Sequence, residues 1–131
     1  MKKVVVYWSQ TGNTEEIAKK IADDLGCDVF NVNEISADEA LQNDLIILGC
    51  PAMGAEELES DEFEPFYNEV MAGIGDKKIA LFGSYGWGDG QWMRDWEANT
   101  GSNLITNGLM VNGGASDIID SEYADFIEKL K

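Results

Sequence analysis

Apolar positions alternate between two kinds of segment along this chain. Short runs rich in Val, Ile and Leu have the length of strands, and longer segments place apolar residues at the spacing of one helix face. In Asn13–Leu25, for example, Ile17 and Ile21 share one such face, and Gly26 is a typical helix stop signal. The unbroken run Leu45–Gly49 is typical of a strand that is covered on both faces.

This pattern predicts an α/β fold in which strands and helices alternate. Strands are predicted at Lys3–Trp8, Asp28–Val32, Leu45–Gly49, Ile79–Ser84 and Leu104–Val111. Helices are predicted at Asn13–Leu25, Ala37–Leu41, Glu62–Ala72, Gln91–Asn99 and Asp117–Leu130, the last of them capped by Ser116. The alternation indicates one parallel, doubly wound sheet with right-handed crossovers. No linker or repeat interrupts residues 1–131, which are therefore expected to form a single domain.

Ligands of such sheets bind beyond the carboxyl ends of the strands. Three loops are expected at that edge: Ser9–Thr14, Cys50–Asp61 and Tyr85–Gly90. These loops also have the least ordinary compositions, and the sequence therefore predicts the binding site where they meet.

The first loop has the composition of a phosphate-binding turn. It contains hydroxyls, carboxamides and one glycine at a predicted helix N-terminus, where unpaired amides and the helix dipole favour an anion. The residues concerned are Ser9, Gln10, Thr11, Gly12, Asn13 and Thr14. The loop has neither the Gly-Lys-Ser/Thr of nucleotide triphosphatases nor the Gly-x-Gly-x-x-Gly of dinucleotide folds, so a phosphomonoester fits better. An ordinary capped helix start remains the alternative.

The other two loops carry side chains that suit a planar ligand. Met53 and Trp87 both fall on predicted loops, with glycines on either side of Trp87 that let a backbone approach closely. Thioethers pack well against π systems, so a planar ligand is predicted between Met53 and Trp87. Taken singly, either residue is better explained as hydrophobic filler. Trp8, Trp92 and Trp96 are expected in the core.

Composition narrows the function further. The net charge is −16, there is no histidine, and no Lys or Arg lies within Asp28–Asp76 or Asp95–Glu128. Such a surface repels nucleic acid, and it either steers a basic partner or simply keeps a monomer solvated. Histidine-based nucleophile systems are excluded, and no metal site is proposed. Cys27 and Cys50 are expected to be buried free thiols. No apolar run reaches the roughly 20 residues of a membrane helix, and a cytoplasmic location is expected.

The whole chain resembles the short-chain flavodoxins of anaerobic bacteria, of the clostridial type. The resemblance is carried by Val5–Ser9 with Thr11–Thr14, Leu48–Gly54, Glu62–Phe66 and Ala80–Gly90. It implies a sheet with strand order 2-1-3-4-5 and FMN bound without a covalent link. It also implies a non-enzymatic carrier that passes single electrons between redox proteins in place of ferredoxin, using the semiquinone/hydroquinone couple of FMN.

Carried over residue by residue, the resemblance implies a role for each loop. Ser9, Gln10, Thr11, Asn13 and Thr14 hold the phosphate, with Gly12 in the turn and Ser84 nearby. Met53 covers one flavin face and Trp87 the other, Gly54 presents a carbonyl to the reduced ring, and Glu56 meets its pyrimidine edge. The remaining contacts are assigned to Pro51, Ala52, Ala55, Tyr85, Gly86, Gly88 and Asp89. Three positions depart from the family's common residues: Gln10, Pro51 and Ala55.

Three other functions were weighed against the carrier. A flavodoxin-like activator of ribonucleotide reductase would share the FMN loop, although the Tyr85–Gly90 motif favours the carrier. A phosphoacceptor receiver domain needs an Asp at the end of the first strand, where this chain has Ser9. An NAD(P)H-dependent quinone reductase needs a second binding site, for which the sequence offers no candidate.

Overall fold

A computed structural model describes residues 1–54 and 56–131. The predicted alternation of strands and helices is confirmed. The strands are β1 (Lys3–Tyr7), β2 (Asp28–Asn31), β3 (Leu45–Gly49), β4 (Lys78–Tyr85) and β5 (Leu109–Asn112). The helices are α1 (Asn13–Leu25), α2 (Ala37–Ala40), α3 (Phe63–Ala72), α4 (Gln91–Thr100) and α5 (Asp120–Leu130).

The strands form one parallel sheet in the order β2-β1-β3-β4-β5, as the resemblance implied. Successive side chains of a strand point to opposite faces, so β1 sends Val4 and Val6 to one core and Val5 and Tyr7 to the other. The first core packs against α2, α3 and α4, and the second against α1 and α5. Helices on both faces explain why β3 is fully buried and apolar throughout.

The last strand and the last helix are shorter than the sequence predicted. Leu104 forms only an isolated bridge with Ile79, and the chain joins the sheet again at Leu109. The segment between them leaves the sheet edge, where the Glu97 carboxylate accepts a 2.6 Å hydrogen bond from the Gly108 N–H. The predicted strand Leu104–Val111 was therefore wrong over its first half.

The start of α5 also differs. Residues Ala115–Asp117 form a 3₁₀ turn, whose Asp117 carboxylate accepts a hydrogen bond from the Gly114 N–H. The helix begins three residues later than predicted, after Ile119, and the exposed Ser116 is not its cap. Short polar side chains such as Asp117 can hydrogen-bond either in a local turn or at a helix start, and here Asp117 is used in the turn.

The predicted core is largely confirmed. Trp92 and Trp96 are buried, whereas Trp8 is half-buried and packs against the edge of the first core. Both cysteines are free, but only Cys50 is buried and Cys27 is partly exposed, which corrects the expectation for Cys27. None of the described helices is long and apolar enough to cross a membrane.

Candidate cofactor-binding site

Because all strands are parallel, the loops after β1, β3 and β4 emerge at the same edge of the sheet. They meet around a cavity of about 230 Å³. Its walls are Ser9, Gln10, Thr11, Asn13, Thr14, Pro51, Ala52, Met53, Ser84, Tyr85, Gly86, Asn112 and Gly113. A larger cleft of about 540 Å³ lies between α4, β5 and α5, and it is lined by none of these three loops.

The turn between β1 and α1 is shaped by glycine and hydroxyl groups. Gly12 precedes α1 at a φ of 96°, a conformation that favours glycine, and the Gly12 N–H donates to Ser9 Oγ at 3.1 Å. Thr14 is buried, and its hydroxyl lies 2.9 Å from that of Ser84 on β4. This pair ties the first turn of α1 to the neighbouring strand.

No cation reaches this turn from α1. Lys19 is exposed and pairs with Glu15 at 2.8 Å, one helical turn away. The Lys19 hydrogen bond, followed by one from Tyr7, lowers the pKa of Glu15. Among the described residues no side chain caps α1 at Gly12, so the first helical N–H groups and the helix dipole are left to hold an anion.

The loop after β3 forms a narrow hairpin whose tip carries Gly54. Met53 and Glu57 exchange two backbone hydrogen bonds of 2.9 Å, and the Ala52 N–H donates to the Ser84 carbonyl at 3.0 Å. Gly54 has a φ of 48° and Glu56 a φ of 57°, so the chain turns tightly on both sides of Ala55, a predicted site residue outside the described part of the chain.

The loop after β4 presents Trp87 to solvent, with 66% of its surface exposed. Gly88 and Gly90 have φ values of 87° and 91°, which let the loop reverse before α4 begins. The Glu56 carboxylate lies over Gly88 and accepts a 3.1 Å hydrogen bond from the Gln91 N–H at the start of α4. Glu56 therefore links the two loops that carry Met53 and Trp87.

The structure brings most of the predicted site residues to one place. Eleven of the predicted site residues line the cavity: Ser9, Gln10, Thr11, Asn13, Thr14, Pro51, Ala52, Met53, Ser84, Tyr85 and Gly86. Gly12, Gly54, Glu56, Trp87, Gly88 and Asp89 lie on the same loops but do not line the cavity. Asp89 points to Arg94 instead, in an exposed pair of 3.1 Å.

Sequence reasoning missed three residues. Asn112 and Gly113 follow β5 and close one side of the cavity. The rule that ligands bind beyond the strand ends could have found them, because their loop leaves the same edge. The third is Glu59, which is buried and accepts several hydrogen bonds at the start of α3. No sequence signal distinguishes it from its acidic neighbours.

These features fit a phosphorylated planar cofactor. Neutral hydroxyls and a helix N-terminus suit a phosphomonoester, and the phosphate needs no basic partner there. Half-buried Met53 and exposed Trp87 flank the same edge and offer a thioether and an indole to a flat ring.

Comparison with known proteins agrees with this geometry. The family model "Flavodoxin" matches residues 5–112. The flavodoxin of Clostridium beijerinckii is 57% identical over 98 residues, covering 71% of each chain. The flavodoxin of Megasphaera elsdenii is 46% identical over 101 residues, 73% of this chain and 74% of that one. The solution structure of the two-electron reduced M. elsdenii flavodoxin superposes with a TM-score of 0.82 at 36% identity, covering 98% of this chain and 99% of that one.

The fold, the three loops and the extent of these matches lead to one assignment. The chain belongs to the flavodoxin family, in its short-chain clostridial type, and it is an FMN-binding electron carrier.

Proposed function

We propose that this protein carries single electrons between redox proteins in place of ferredoxin, using the semiquinone/hydroquinone couple of FMN. Residues 1–131 act as one FMN-binding domain. The observation that carries the proposal is the convergence of the hydroxyl-rich turn and of the Met53 and Ser84 loops on one cavity. FMN would store the electron, and the residues around it would set the reduction potentials of the two steps.

The phosphate is held by neutral groups. Hydroxyls of Ser9, Thr11 and Thr14 and the amide of Asn13 surround the start of α1, with Gln10 on the rim and Ser84 behind Thr14. Gly12 lets the backbone turn at positive φ. Hydrogen bonds to an anion are stronger than those to a neutral group, so this turn prefers FMN to riboflavin.

The ring end is held by the other two loops. Met53 covers one face and Trp87 the other, and the exposure of Trp87 supports this role because its indole has little contact with the core. Glu56 meets the pyrimidine edge while its other contact, with the Gln91 N–H, keeps the carboxylate in place. Pro51 and Ala52 line one side of the cavity, and Tyr85 and Gly86 the other. Further contacts from Ala55, Gly88 and Asp89 stay predictions from the sequence.

Gly54 separates the two electron steps. Its carbonyl would accept a hydrogen bond from a protonated flavin nitrogen, and such a contact would favour the half-reduced state over the oxidised one. The φ of 48° at Gly54 supports this role, because a glycine can turn its peptide there at little cost. The acids of the surrounding loops would disfavour added negative charge on a bound ring, which would lower the second potential.

The partners are redox proteins with basic surfaces, bound transiently by the monomer in the cytoplasm. The charge of −16 supports this, since it attracts a basic docking surface over a distance set by ionic strength.

Gly54→Val tests the proposal in a reductive titration followed by absorbance. We expect less half-reduced flavin than in the parent, because a branched side chain resists positive φ. Gly75→Val is the matched control: Gly75 also has a positive φ of 56° and open space around its α-carbon, and it lies on the turn before β4, outside the cavity walls. An unchanged yield in Gly54→Val would contradict the role of Gly54.

A further inference from the structure

The hairpin that carries Met53 and Gly54 is closed at its base by two buried residues, Cys50 and Glu59. The Glu59 N–H donates to Cys50 Sγ at 3.4 Å, so the chain returns to its starting point after the hairpin. Cys50 itself is fixed in the sheet, because its N–H donates to the Phe82 carbonyl at 3.1 Å and its own carbonyl accepts from Trp92 Nε1 at 3.3 Å. The base of the hairpin is thus attached to β4 and α4.

The Glu59 carboxylate holds the second limb of the hairpin to α3. Oε1 accepts hydrogen bonds from the N–H groups of Glu62 and Phe63, both at 2.8 Å, and Oε2 accepts one from Asp61 at 2.9 Å. Only 7% of the Glu59 surface is exposed. Burial alone would raise the pKa of Glu59, but these three backbone donors outweigh it and hold the pKa below its ordinary value.

The neighbouring acids do not share this arrangement. Glu57 is exposed, and Glu62 accepts a 3.0 Å hydrogen bond from Trp8 Nε1 at the surface. Within the described residues, Glu59 is the one acid of this segment whose side chain accepts hydrogen bonds from the N–H groups of Asp61 and Glu62, just before α3, and of Phe63, its first residue. The Glu59 carboxylate therefore holds the backbone at the start of α3 in place, and its charge is buried rather than available to a partner protein.

The two limbs of the hairpin are consequently fixed by different contacts. The Ala52 N–H and the Ser84 carbonyl join the first limb to β4. Glu59 joins the second limb to α3 and to Cys50. The two hydrogen bonds between Met53 and Glu57 join the limbs to each other next to the tip, so the position of Gly54 depends on both attachments.

We propose that Glu59 is a positioning residue for the electron-transfer site, and that its cap on α3 fixes the hairpin from which Gly54 meets the flavin. The inference rests on the proposed function. Without the cap, the second limb is free to move, the Gly54 carbonyl is less well placed for the reduced ring, and the half-reduced state loses its advantage. The phosphate turn is untouched, so the preference for FMN over riboflavin persists.

Three variants test this: Glu59→Ala, Glu59→Gln and the control Glu57→Gln. The Glu57→Gln variant also removes one negative charge, but from an exposed side chain two residues before Glu59. The first readout is the equilibrium constant for forming half-reduced FMN in the holoprotein. We expect Glu59→Ala to lower it about tenfold, since buried donors lose their acceptor. Glu59→Gln should lower it less, because Oε1 can still accept from Glu62 and Phe63. Glu57→Gln removes a nearby charge but not the cap, so it should lower the constant much less than Glu59→Ala does.

The second readout is amide hydrogen exchange in the oxidised holoprotein. Faster exchange of the Glu57 and Phe63 amides is expected in Glu59→Ala, because both the hairpin bridge and the helix start loosen. Equal constants in Glu59→Ala and Glu57→Gln, or unchanged exchange at these amides, would overturn the inference. If the parent itself forms no half-reduced FMN, the proposed function fails, whereas the exchange result still decides whether Glu59 holds the hairpin. If Glu59→Ala does not fold, Glu59→Gln decides by the same two readouts.

Discussion

At the scale of single residues, the contact between Thr14 and Ser84 determines how the phosphate turn is held. Thr14 is buried at the first turn of α1, and its hydroxyl lies 2.9 Å from Ser84 Oγ. One hydroxyl donates its single hydrogen to the other, and the hydroxyl that accepts keeps its own hydrogen to donate toward the cavity. This pair therefore fixes both the helix start and the direction of a donor to an anion.

Thr14→Ala should weaken the binding of FMN much more than that of riboflavin, which lacks the phosphate. The expected loss for FMN is about 1.5–3 kcal/mol, the range for a hydrogen bond to a charged group. Titration of each flavin followed by fluorescence measures it. Ser116→Ala removes an exposed hydroxyl from the turn before α5 and should change neither affinity. Equal losses for both flavins would contradict the phosphate assignment.

At the scale of elements, close packing of β4 against the hairpin base leaves no room at Gly83. A β-carbon there would overlap the Cys50 carbonyl oxygen and lie 3.1 Å from the Trp92 ring. Backbone cannot give way as a flexible side chain can. The glycine therefore allows β4, the hairpin and α4 to meet, which positions Ser84 in direct contact with Thr14 of the phosphate turn.

Gly83→Ala should lower the free energy of unfolding by about 2 kcal/mol or more, because an overpacked core must shift its backbone. Urea unfolding of the FMN-free protein, followed by circular dichroism, measures the change. Gly86→Ala is the control, since a β-carbon there meets open space and the φ is not positive. Similar stabilities for the two variants would show that β4 tolerates a side chain at Gly83.

The elements also show what the sequence could predict. Burial on both faces makes β3 apolar throughout, and a clear helix face marks α1, so these elements were found with their bounds. The start of β5 was misplaced because Leu104 and Ile105 are apolar like strand residues and pack against the cores. In the described part of the chain, however, their backbone pairs with the sheet only at Ile79. Glu59 was missed because its carboxylate meets the start of α3 only through the way the chain turns between them. The local composition does not encode that turn.

At the scale of the whole molecule, charge is the dominant property. The chain has 25 acidic and nine basic residues, and five of the acids lie in the loops around the site: Glu56, Glu57, Glu59, Asp61 and Asp89. The C-terminal end of α5 and the start of β3 lie at the opposite edge of the sheet, because α5 runs antiparallel to the strands. Charge at the two edges can therefore be altered separately.

Electron transfer to a basic haem protein should slow as ionic strength rises, because screening shortens the range of attraction to about 10 Å at 0.1 M salt. Stopped-flow mixing at several salt concentrations measures the rate. Glu57→Gln, beside the site, should reduce the salt dependence more than Glu128→Gln near the end of α5. A rate that is independent of salt, or equal effects of the two variants, would contradict steering through the site edge.

The most direct test of one-electron transfer is a reductive titration of the FMN-loaded parent, with potential and absorbance recorded together. Two separated one-electron steps are predicted, with a blue neutral half-reduced flavin accumulating between the yellow and colourless forms. A single two-electron step from yellow to colourless, without the blue species, would contradict the proposal that the protein separates the two electrons.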